Sequence, residues 1–83
     1  MYYIYILHSK SSQKYYCGQT IDVPARLIRH NNGETPSIRH GIPWTLIGYI
    51  SVESRSESVA LEKKIKGRGI RWLDQYSYLL QSG

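Results

Sequence analysis

Short runs with a two-residue apolar period and longer runs with a helical period succeed one another along this chain, and their order predicts its elements. From Tyr2 to His8, an extended chain puts Tyr3, Tyr5 and Leu7 on one side and Tyr2, Ile4 and Ile6 on the other. Both sides are largely apolar, which predicts a strand covered on both faces, in the centre of a sheet. Ser9 to Gln13 is polar and short, and Lys14 to Thr20 returns as a second strand, so the two form an antiparallel hairpin. With His8 near Gln13 across the turn, Tyr5 falls roughly opposite Tyr16. That pairing depends on register, because a slip of one residue sends a side chain to the other face.

Asp22 is a good N-cap and Pro24 is tolerated in a first turn, which predicts a helix to about Asn31, stopped by Asn31-Asn32-Gly33. On it Arg26 and His30 share one face, and Val23 and Leu27 another. Glu34 to Pro43 reads as a loop. Trp44 to Val52 is a third strand, with Leu46, Gly48, Ile50 and Val52 alternating against Thr45, Ile47, Tyr49 and Ser51. Ser54 to Glu57 fits a capping box. The helix it opens turns Leu61 and Ile65 inward, carries Glu62 and Lys66 on another face, and ends at Gly67 or Gly69. Leu73, Tyr76 and Leu80 recur at helical spacing and predict a last helix between Ile70 and Leu80. The order is ββαβαα, an α+β arrangement, and residues 1–83 are expected to form a single domain.

Charge narrows the partners. Eleven Lys and Arg against six Asp and Glu give +5 at pH 7, a balance that favours polyanions, nucleic acid first among them. No stretch sets a wide apolar helix face against a lysine-rich one, so a membrane partner is not expected. The apolar start, about seven residues long and without a basic lead, is too short for a span. Cys17 is the sole cysteine, and with three scattered histidines it closes neither a disulfide framework nor a structural zinc site. A reducing, cytoplasmic location is the expectation.

Tyr3-Ile4-Tyr5, ten residues, then Tyr16-Cys17-Gly18 resembles the signature of the GIY-YIG nuclease superfamily. Arg26-Leu27 with His30, Pro43-Trp44, and Glu62 with Ile65-Lys66 follow in the same order, so the resemblance covers about residues 2–68. It is nearest to small stand-alone bacterial members, which are similar to the nuclease module of the nucleotide-excision-repair incision subunit. Tyr3 and Cys17 replace the Gly and the central Ile of the two triplets. Gln19 stands where many members have Lys, and no Asn follows the Glu62 helix.

The resemblance implies a three-stranded antiparallel sheet flanked by helices, and a DNA endonuclease dependent on a divalent metal ion, Mg²⁺ or Mn²⁺. Glu62 would hold the ion, since one carboxylate suffices for a Mg²⁺ that keeps most of its waters. Arg26 would grip the scissile phosphate with its planar fork, and His30 would accept or relay a proton. Tyr5 is assigned as general base and Tyr16 as its partner in positioning water or phosphate, with the two roles open to exchange. Arg29, Arg39, His40, Lys63, Lys64, Lys66, Arg68 and Arg71 are candidates for contacts to the backbone of DNA, or of RNA. No base-reading element is visible, so a protein partner or substrate shape would guide the domain. The alternative is a nucleic-acid-binding module of the same fold with weak or lost turnover.

Overall fold

The structure, a computed structural model, describes residues 1–69 and 80–81. Its elements run β1 (Tyr2–Ser9), β2 (Lys14–Thr20), α1 (Val23–Asn31), a 3₁₀ segment (Pro36–Gly41), β3 (Trp44–Val52) and α2 (Arg55–Arg68). The three strands form one antiparallel sheet in the order β2-β1-β3, so β1 is central, as its two apolar sides require. The helix expected between Ile70 and Leu80 lies outside the described residues, as does Arg71. At Gln81 the chain bonds to β3 through both backbone hydrogen bonds with Tyr49, at 2.8 and 3.0 Å.

Each face of the sheet carries its own core. On one, Ile4, Ile6, Cys17 and Ile50 pack against Ile65 of α2, with Leu61, Val52 and Leu80 at the margin. Each fully buried branched aliphatic there contributes about 1.5–3 kcal/mol. On the other, Tyr5 and Leu7 pack against Val23 of α1, Ile38 and Trp44, with Tyr16, Leu27, Leu46 and Tyr49 around them. Cys17 thus stands among aliphatic side chains, in the core of this face. Tyr3 leans edge-on against Tyr49 near the far end of β1, with ring centroids 5.7 Å apart.

One expectation is corrected in β3. Leu46 does not share a face with Gly48, Ile50 and Val52. Ile6 pairs with Gly48 but Leu7 pairs with Leu46, so the register skips Ile47. This β-bulge inserts one residue into the alternation and transfers Trp44 and Leu46 to the face of Tyr5.

The N-caps fall where the sequence predicts, although of the capping box at Ser54–Glu57 only the Ser54 hydroxyl bond is formed. Asp22 accepts a hydrogen bond from Ala25 N and Ser54 accepts one from Glu57 N, each satisfying one orphan donor three residues downstream. Gly69, at φ +61°, closes α2. Within the stretch expected as loop, Pro36 opens two 3₁₀ turns kinked at Ile38. They carry Ile38 inward, where its carbonyl accepts Trp44 Nε1–H at 2.8 Å. Asn31 ties the end of α1 to β3, accepting Trp44 N–H at 2.7 Å and donating to Trp44 O at 3.1 Å. Among the described residues no helix is long and apolar enough to cross a membrane.

Candidate active site

Tyr5 lies at the centre of β1, directly opposite Gly18 and not opposite Tyr16. The hairpin closes later than the sequence suggests. Ser9 pairs with Lys14, while Gln13 takes a positive φ of 56° and its side chain donates to Lys10 O. Pairing therefore moves by two residues. An even shift keeps Tyr16 on the face of Tyr5, now diagonal to it, with ring centroids 6.2 Å apart. The glycine of the second triplet makes this possible. A Cβ at position 18 would stand 2.6 Å from Tyr5 Cζ, so the phenol rests on bare backbone.

α1 supplies the groups around that phenol. Tyr5 Oη and His30 Nε2 are hydrogen-bonded at 2.8 Å, and His30 Nδ1 and Thr35 Oγ1 at 2.8 Å. Tyr5 and His30 are each only 1% exposed. Burial pushes the Tyr5 phenol well above its usual range and neighbouring Tyr16 adds to the rise, while the Arg26 guanidinium opposes it. Burial lowers His30, and the charges of Arg26 and Arg29 lower it further. At neutral pH the pair is a phenol and a neutral imidazole. Tyr16 presents its ring edge-on to His30 at 5.3 Å between centroids and is only half-buried. Burial thus favours the exchanged roles, with Tyr16 as the phenol that can meet water.

Glu62 stands apart from this group, on the α2 side of β2. Its carboxylate binds Lys66 Nζ at 2.6 Å, and Lys66 Nζ lies 5.9 Å from the centroid of the Tyr16 ring. Lys66 therefore links the carboxylate to the phenols around the edge of β2. Its hydrogen bond to Glu62 raises its pKa and keeps it charged. Beside them, burial and the charge of Glu62 push the Cys17 thiol up to about 12, leaving it a neutral packing group. Gln19 accepts the Ser58 hydroxyl at 2.7 Å and so ties β2 to α2.

Among the described residues Tyr5, Tyr16 and His30 are brought together with Arg26, whose charge acts on both Tyr5 and His30, and Glu62 is linked to them through Lys66. The phosphate-contact candidates divide between two sides. By α1, Arg29 pairs with Glu34 at 3.5 Å, Arg39 Nε donates to Gly33 O, and His40 stands edge-on to Trp44. On α2, Lys63, Lys64, Lys66 and Arg68 are exposed. Among the described residues no three His, Cys, Asp or Glu cluster as metal ligands. Of the candidate site residues Glu62 is the one carboxylate, and Lys66 is its ion-pair partner here. A hydrated Mg²⁺ held through one carboxylate fits that donor set.

Sequence reasoning missed Thr35, whose hydroxyl reaches His30 from a stretch without periodicity. It also missed the need for glycine at 18, although a glycine inside a strand is itself a sign of close approach.

The family profile of the GIY-YIG catalytic domain matches residues 1–72. A UPF0213 protein of Halobacterium salinarum is 36% identical over 67 residues, covering 80% of this chain and 86% of that protein. No solved structure matches the chain.

Proposed function

This chain belongs to the GIY-YIG family, and from that premise we propose that it is a DNA endonuclease dependent on Mg²⁺ or Mn²⁺, acting in DNA repair or processing. The observation that carries the reading is one constellation at the edge of β2. Two phenols, a neutral imidazole and a guanidinium meet there beside an ammonium–carboxylate pair. Phosphodiester hydrolysis asks for an oriented water, positive charge around the phosphate and help for the leaving oxygen.

Tyr16, at the half-buried mouth, orients the water. Tyr5 and His30 form the floor behind it, with hydrogen bonds that are fixed before substrate arrives. Arg26 receives the phosphate oxygens bidentately, as a planar fork does and a point charge does not. Glu62 would hold the divalent ion, which when bound supplies Lewis-acid stabilisation of the leaving oxygen. Lys66 gives up that carboxylate and turns its charge to the phosphate. Arg29, Arg39, His40, Lys63 and Arg68 extend the contact along the backbone of DNA or RNA without reading sequence. Choice of site then falls to substrate shape or a protein partner.

The Glu62–Lys66 ion pair at 2.6 Å supports a second reading. A chain that keeps this pair closed binds nucleic acid and does not cut it. Nicking of supercoiled plasmid and branched DNA in Mg²⁺, Mn²⁺ or EDTA separates the two. The endonuclease reading expects metal-dependent nicking that is lost in Tyr16→Phe and Glu62→Ala variants with native circular dichroism. Salt-sensitive binding without nicking would establish the binding module.

A further inference from the structure

Three side chains form a hydrogen-bonded line through the floor of the site: Tyr5 Oη, His30 Nε2 on one edge of the imidazole, Nδ1 on the other, and Thr35 Oγ1. Both hydrogen bonds measure 2.8 Å. A neutral imidazole donates from one nitrogen and accepts at the other, so the line runs in one of two directions. The ends decide which. A phenolic O–H is intrinsically a better hydrogen-bond donor than an aliphatic alcohol, and the alcohol oxygen is the better acceptor. Tyr5 therefore donates to Nε2, and Nδ1–H donates to Thr35.

We infer that Thr35 is a positioning residue of this site, holding His30 in the Nδ1–H tautomer so that Nε2 takes the hydrogen of Tyr5. The inference rests on the endonuclease reading and adds to it a residue that touches neither phosphate nor water. With its hydrogen committed inward, Tyr5 leaves its oxygen lone pairs to accept from the side of Tyr16, where the water is to be held. In the reverse tautomer Nε2–H would occupy those lone pairs and the Tyr5 hydrogen would turn outward.

The backbone at Thr35 is built for this role. Gly33, at φ +80°, turns the chain out of α1, and Arg39 Nε clamps its carbonyl. Ile38 N–H bonds Thr35 O at 3.1 Å, and Pro36 fixes the residue that follows. The hydroxyl is thereby held against an imidazole one turn upstream.

The test reads the tautomer directly, by ¹⁵N NMR of imidazole-labelled protein, with His30 assigned from a His30→Gln variant. Wild type is expected to show Nδ1–H at His30. Thr35→Val, which keeps the shape and removes the acceptor, should convert it to Nε2–H and slow nicking about 10- to 100-fold, the usual scale for loss of an outer partner. Thr35→Ser should restore both. An Nε2–H signal in wild type overturns the inference without any variant. So does Thr35→Val with unchanged tautomer and rate while His30→Gln is inactive, and the endonuclease reading then survives alone. Wild-type nicking by a folded His30→Gln protein would remove the catalytic floor, and Thr35's role with it.

Discussion

The two faces of one sheet are held by different physics. Towards α2, Ile4, Ile6, Ile50 and Ile65 are non-directional and fill space. Towards α1, Tyr5, His30 and Thr35 are joined in a line of hydrogen bonds, and the Trp44 indole N–H donates to the Ile38 carbonyl. Burial of area tolerates small displacements, whereas a hydrogen bond is lost when its geometry is lost. The aliphatic core beneath α2 therefore supplies stability, and the α1 face holds the phenols and the imidazole in position. Both depend on β1, whose alternate residues serve one face and then the other.

The largest expected effect falls on the aliphatic side. Ile65 is fully buried, so Ile65→Ala should cost about 2–5 kcal/mol in denaturant unfolding. Nicking per folded molecule should stay unchanged; a proportionate loss of activity would break the division between the faces. Next comes Gly18→Ala, which drives a Cβ into the Tyr5 ring. Overpacking of this kind costs about 1–3 kcal/mol, and here it should also abolish nicking in the molecules that remain folded. Retained nicking would mean that the Tyr5–His30 geometry is dispensable.

Acid should act on the α1 face through His30. His30 has its folded-state pKa lowered, so below its unfolded value of about 6.5 the unfolded chain binds the proton first. Stability is complete above that pH and falls as pH drops towards the folded value. Unfolding curves from pH 7.5 to 5 should show this slope, and His30→Asn should flatten it. The smallest effect is reserved for the edge between the faces. Lys66→Met removes an i,i+4 ion pair worth about 0.3–0.5 kcal/mol, yet it should weaken DNA binding and shallow its salt dependence. Unchanged binding would detach Lys66 from the phosphate path.

Local pattern made most of the fold legible. The double-sided apolarity of β1, the caps at Asp22 and Ser54, and the inward Leu61 and Ile65 are all written within a turn or a strand. What escaped depends on a partner far along the chain. Pairing of β1 with β2 moved by two residues because the turn ends at Gln13 in a left-handed conformation that the polar run does not announce. The face of Leu46 changed because β3 skips a residue against β1. Within the site, Arg26 and His30 could be grouped by helical spacing. Tyr5 and Tyr16 could be grouped by parity of register. Thr35 could not be grouped at all, since 3₁₀ turns have no apolar rhythm to read.

The bulge in β3 has a consequence for how this chain can vary. Ile47 is 39% exposed, so exchanging it for another strand-forming residue should leave the protein much as it is. Deleting it is another matter. Trp44 and Leu46 would turn to the opposite side of the sheet, and the backbone groups that Asn31 grips would turn with them. What matters at this position is the count of residues rather than their kind. Homologous strands should accordingly differ freely in the letter at position 47 while holding the length between Trp44 and Gly48 fixed.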